Sequence, residues 1–219
     1  MTLTATGRHG NSEARADMDR LVTASDQQLW QEALAGSSAA FGVIFERHAK
    51  AVYNFCFRRT GSWSLAEDLT SEVFLLAWRR RRDVVFTAER SSVLPWLYGV
   101  ALNLVRNRRR SERRATAAFA RLDAKEAEAD FSDDLVGRLA DERRMRDVLA
   151  VFDRLAAHEQ EVLALCAWAE LSYEDCALAL GVPVGTVRSR LARARAHLAE
   201  LVAGSGHERN GESVLGTCG

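Results

Sequence analysis

SYEDCALALGVPVGTVRSRL, residues 172–191, carries two short helical patterns separated by a turn. Gly181 stands where the chain needs a left-handed backbone conformation, which glycine adopts without steric penalty. Ala177 is small at the point where the two helices would cross. Leu180, Val182, Val187 and Leu191 are spaced to pack beneath the second helix, which Thr186 is expected to cap. Arg188, Ser189, Arg190 and Arg193 then fall on its outer side near the N-terminus, and residues 186–199 hold four arginines and no acid. This is the helix-turn-helix pattern, whose second helix meets base edges and phosphates of duplex DNA.

Around it lies a helical unit expected at 141–202, with segments Asp141–Leu155, His158–Ala169, Ser172–Leu180 and Val184–Val202. Upstream, residues 115–140 are rich in Ala, Asp and Glu with few large apolar side chains, and read as an acidic, partly helical linker. A first unit is expected at 26–114. It opens with Ser25 or Asp26 as N-cap. Phe41, Ile44, Phe45, His48, Val52, Phe55 and Cys56 recur at three and four residues, a helix ending near Gly61. Ser64 followed by Glu67 predicts a capping box and a helix to about Arg82. Asp83–Val93 lacks periodicity and reads as a loop; Pro95 then starts a helix with Leu97, Val100, Ala101, Leu104 and Val105 as its buried stripe. The ends, 1–25 and 203–219, are polar and read as flexible tails. The expected fold is all-α, two small helical domains joined by a linker.

Thirty Lys and Arg against thirty Asp and Glu make the formal charge zero, a total that by itself argues against a generic nucleic-acid binder. The distribution reverses that reading. Residues 79–114 carry eleven basic and three acidic side chains, whereas 115–142 carry three basic and eight acidic. Pro95–Arg114 joins Trp96 and Tyr98 to six arginines (Arg106, Arg108, Arg109, Arg110, Arg113 and Arg114), with Asn103 and Asn107 between. Aromatic faces among cations suit unstacked bases and a single-stranded backbone. The same pattern also fits two core aromatics followed by a solvated arginine run.

No apolar run approaches the roughly 18 residues of a membrane span, and Met1–Arg20 has no apolar signal region, so a soluble cytoplasmic protein is expected. Cys56, Cys166, Cys176 and Cys218 form no CxxC pair; the first three sit in apolar helical patterns and are expected as buried free thiols. His48 is expected as a core histidine. His158 opens no HExxH motif, no Cys/His cluster has zinc spacing, and P-loop, GxGxxG and GxSxG motifs are absent. Neither a metal, a cofactor nor catalysis is expected.

AEDLTSEVFLLAW (66–78), WLYGVALNLVRNRRR (96–110) and VPVGTVRSRLARAR (182–195) together resemble three motifs of one family in the same order and spacing. That family is the extracytoplasmic-function (ECF) sigma factors, the small two-domain members of the sigma-70 initiation subunits of bacterial RNA polymerase. The resemblance implies a sigma2-like unit at 26–114 and a sigma4-like unit at 141–202. It implies core-polymerase docking on the β′ clamp coiled coil through Asp68, Ser71, Glu72 and Leu75. The loop 83–93 and Trp96, Tyr98, Asn103, Arg106, Arg109 and Arg110 would melt and hold the promoter −10 element. Thr186, Arg188, Ser189, Arg190 and Arg193 would read the −35 duplex.

The resemblance further implies that the linker threads toward the active-site cleft of core, against the β subunit, and that an anti-sigma protein occludes both units. The sequence departs from the family pattern at several positions. Ser71 replaces a common Gln, Ala156 and Gln160 a usual Pro and Arg, and Cys176 a usual Ile; Ala192 stands at a position often aromatic or His. A stand-alone helix-turn-helix regulator is the alternative; it has no need of the 66–78 motif. An Arg-rich scaffold or enzyme would require the segregated charge to be incidental.

Overall fold

The computed structural model describes residues 7–84, 92–119 and 133–211, and every regular element within them is helical. The first unit holds α1 (Gly7–Thr23), α2 (Asp26–Leu34), α3 (Ser38–Thr60), α4 (Trp63–Arg79), a 3₁₀ turn (Arg81–Asp83) and α5 (Leu94–Phe119). The second holds α6 (Asp133–Phe152), α7 (Ala157–Leu163), a π-helical turn (Ala164–Trp168), α8 (Tyr173–Leu180) and α9 (Val184–Gly211). Most of the expected loop 83–93, the centre of the acidic linker and Cys218 lie outside the described residues.

Local chemistry sets the helix ends. Ser25 caps α2 through a capping box with Gln28, and Ser37 caps α3 by accepting the Ala40 N–H. Gly61 ends α3 in the left-handed region, φ 68°. Helices α2 to α5 then bury Trp30, Ile44, Val52, Val73, Leu97 and Ala101 in a common core. Asp26, 4% exposed, ties this core together. Its carboxylate accepts from Arg47 (2.6 Å), His48 Nε2 (2.7 Å), Ser92 Oγ (3.0 Å) and the Val93 N–H (3.0 Å). Burial pushes this carboxyl up, but the His48 contact, the Val93 N–H and Arg47 outweigh burial and hold it well below the usual carboxylate range. His48 is thus a satisfied core histidine.

In the second unit α9 packs on α7 and α8, with Val162, Leu165, Val187, Leu191 and Ala194 buried between them. Gly181 turns α8 into α9 at φ 64°, as the sequence requires.

Several expectations are corrected. The N-terminal tail is helical over Gly7–Thr23, because Leu21 (1% exposed) is seated in the core and Arg20 pairs with Glu32 of α2. Likewise α9 runs past the expected end at 202 to Gly211. The N-cap of α4 is Ser62, accepting the Leu65 N–H, and not Ser64, since the left-handed Gly61 returns the chain to extended backbone at Ser62. Thr186 lies inside the first turn of α9, where its N–H donates to the Pro183 carbonyl at 2.9 Å, so it does not cap that helix.

Candidate docking and nucleic-acid interfaces

Helix α4 buries Ala66, Leu69, Thr70, Val73, Phe74 and Ala77 on one side. Asp68, Ser71, Glu72 and Leu75 follow at steps of three and four, so the other side presents them as one exposed stripe. Leu75 is 49% exposed, an apolar side chain held in solvent one helical turn beyond Glu72.

The α5 residues divide sharply. Tyr98 is 4% exposed and packs on Phe55 at 4.7 Å between ring centroids, which makes it core and removes it as a stacking platform. Trp96 is half-buried, edge-on to Trp30 at 5.8 Å. Asn103, Arg106 and Arg110 are exposed, and Arg109 is partly so. Two of these arginines face the second unit. Arg106 donates twice to Glu161 Oε1 (2.6 and 3.0 Å), and Arg109 donates to Asp153 (2.7 Å), Gln160 (3.0 Å) and the Arg59 carbonyl (2.9 Å).

Helix α8 lies against α5 along this seam. A Cβ on Gly99 would stand 2.7 Å from the Ala179 carbonyl oxygen, so only glycine permits the approach. Leu102, outside the stripe expected for α5, is 3% exposed here. The exposed ion pairs contribute ~0.2–1 kcal/mol each. Burying a leucine contributes roughly 1.5–3 kcal/mol, so apolar contact dominates the seam. A cleft of about 590 Å³ beside it is lined by Arg59, Arg106, Arg109 and Arg114 with Asp153 and Glu161.

At the recognition end, Arg188, Ser189 and Arg193 are exposed and Arg190 is half-buried. Arg188 rests over the Tyr173 ring at 5.7 Å, and Ser189 Oγ donates to the Thr186 carbonyl. All four stand in the first three turns of α9, with Thr186 in the turn before Arg190.

The sigma-70 region 2 family model matches residues 44–115, and the sigma-70 region 4 model matches 145–198, together more than half of the chain. The ECF RNA polymerase sigma factor BldN of Streptomyces coelicolor is 31% identical over 89% of this chain and 70% of its own length. The chain belongs to the ECF sigma factors of the sigma-70 family. Solved structures agree on the fold of this sigma factor. CnrH, in complex with the cytosolic domain of CnrY, superposes with TM-score 0.59 at 24% identity, over 82% of this chain and 97% of that one. The sigma factor RpoE of Bartonella quintana, in complex with the anti-sigma factor NepR, gives 0.53 at 23% identity, over 73% and 94%.

Within this sigma factor, residues that sequence reasoning passed over are Gly99, Ala179, Asp153 and Glu161, and Asp26 was read only as a candidate N-cap. An apolar Leu102 on the far side of an otherwise polar helix face was the one signal of a second contact. Among the described residues no cluster of His, Cys, Asp or Glu could hold a metal ion, and no helix is long and apolar enough to cross a membrane.

Proposed function

We propose that this sigma factor docks on core RNA polymerase through the α4 stripe and recognises promoters through α5 and α9. The exposed stripe of Asp68, Ser71, Glu72 and Leu75 on α4 carries this reading. A duplex-binding regulator acting without polymerase has no need of the 66–78 motif, which forms this stripe and lies within the region 2 match at 44–115. Core polymerase does the chemistry, and the chain contributes binding alone. Arg188, Ser189, Arg190 and Arg193 take the −35 duplex, with Thr186 supporting the turn. Asn103, Arg106, Arg109 and Arg110, with Trp96 at the margin, take the −10 region, where captured bases and backbone contacts offset the cost of opening DNA.

The seam places Arg106 and Arg109 against Glu161 and Asp153, so the arrangement described is a resting one, and promoter engagement separates α8 from α5. Core supplies the separation by holding the two units apart, with the acidic segment 115–140 directed toward its cleft and the β subunit. An anti-sigma protein that stabilises the resting arrangement is the expected partner, by analogy with the NepR complex of the related fold. The site of action is the cytoplasm.

Run-off transcription with purified core and a set of candidate promoters tests the reading. Initiation that depends on the chain is expected. Specific duplex binding by the free chain, with no transcript in the presence of core, would instead establish the stand-alone regulator.

A further inference from the structure

Two cysteines of the second unit meet in space. Cys166, in the π-helical turn, and Cys176, in α8, place their Sγ atoms 3.3 Å apart. A disulfide needs about 2.05 Å, so closure requires a shift of a little over one ångström. The π-helical turn carries an extra residue per turn and is a place where helices deform readily.

The two thiols differ in access and in charge. Cys166 is half-buried, whereas Cys176 is fully buried behind it. The hydrogen bond from Cys176 lowers the Cys166 thiol against the effect of burial, and Arg195 of α9 adds to the lowering. That same bond, together with burial, holds the Cys176 thiol up. Cys56 offers a contrast: burial pushes its thiol up to about 12, which keeps it inert.

We propose that Cys166 and Cys176 are a modification site, at which hydrogen peroxide converts the two thiols into one disulfide. The Cys166 thiolate attacks the peroxide O–O bond, forming an S–O bond and releasing one water after protonation; its sulfur is oxidised to the sulfenic acid. Cys176 sulfur then attacks that sulfur. The S–S bond forms, the S–O bond breaks, and the departing hydroxide takes the Cys176 proton and leaves as a second water. Two thiols and one hydrogen peroxide thus give one disulfide and two waters. The cross-link spans Trp168, the left-handed Glu170 (φ 54°) and Ser172, the N-cap of α8. It fastens the first helix of the helix-turn-helix, which also covers α5, to the turn before it.

The test treats the full chain with hydrogen peroxide, alkylates remaining thiols and measures intact and peptide masses. Loss of two hydrogens is expected, with peptides containing 166 and 176 linked and reduction by dithiothreitol reversing the change. Cys176→Ser, which keeps a hydroxyl donor beside Cys166, is expected to retain a sulfenic acid at Cys166 that dimedone captures. Cys166→Ser is expected to give neither disulfide nor dimedone adduct. Full alkylation of both thiols after peroxide, a link from either to Cys218, or a link between two chains would overturn the proposal.

Discussion

Gly99 of α5 and Ala179 of α8 approach so closely that backbone meets the space of a side chain: a Cβ at Gly99 would lie 2.7 Å from the Ala179 oxygen and 3.3 Å from its Cα. Backbone atoms cannot rotate aside. Alanine also suits a helix interior better than glycine by roughly 0.5–1 kcal/mol, so α5 itself is not weakened. Gly99→Ala is therefore expected to part the two units while leaving both folded. Small-angle scattering should show a larger radius of gyration at unchanged helicity. An unaltered profile would show that the seam yields elsewhere.

The α4 stripe makes a cleaner claim. Asp68 is exposed, so Asp68→Arg should change stability by no more than about 0.5 kcal/mol. Co-purification with core polymerase should nevertheless be lost. Retention of core binding by a variant with an unchanged melting curve would remove this helix from the docking surface.

Asp26 predicts an acid-sensitive fold. Its carboxyl is held below the ordinary value near 3.9, so its stabilisation is complete above that value and declines as pH falls from there toward the lower folded value. Asp26→Ala strands Arg47, His48 and the Val93 N–H, and is expected to cost about 3–5 kcal/mol near neutral pH. Urea unfolding at pH 7 and pH 3 should show the gap between wild type and variant narrowing in acid. A gap independent of pH would mean that the network acts through packing alone.

Arg188→Ala is expected to weaken binding to a matched −35 duplex by roughly 1–3 kcal/mol, the range of a bidentate base contact. The lost stacking on Tyr173 is worth about 0.5–1 kcal/mol at most at this exposed position, so stability should fall little. Fluorescence anisotropy on matched and scrambled duplexes distinguishes the roles. Equal losses on both would assign Arg188 to phosphate.

What the sequence made legible was local. Ser25, Gly61 and Gly181 act on neighbours within a few residues, and the structure shows each in the expected capping or turning role. The α4 stripe came from the family resemblance; helical spacing explains only why Asp68, Glu72 and Leu75, once named, share one exposed side. Position within a turn was harder: Ser62 competed with Ser64 for one cap, and Thr186 lay three residues past the end it was expected to close. Helix α1 escaped because a single buried leucine, Leu21, the pairing of Arg20 with Glu32 and an Arg47 bond to the Val22 carbonyl hold it, too little to make a periodicity. Tyr98 looked available because aromatic character does not reveal which side of a helix a distant Phe55 will cover. The seam was invisible for a related reason, as Gly99 and Ala179 are small residues whose meeting is set by two helices eighty residues apart.

Arg59 gives that seam its temper. It is 4% exposed, stacked over Phe152 at 5.1 Å, and its Nε and Nη1 have no hydrogen-bond partner among the described residues. Burial, with Arg109 beside it, pushes its guanidinium down to about 10, which records how poorly its charge is housed. Each stranded polar group costs about 1–3 kcal/mol, and parting the units hydrates both nitrogens. The closed arrangement is thus cocked: the cation that it shuts away from water lowers the work of opening it.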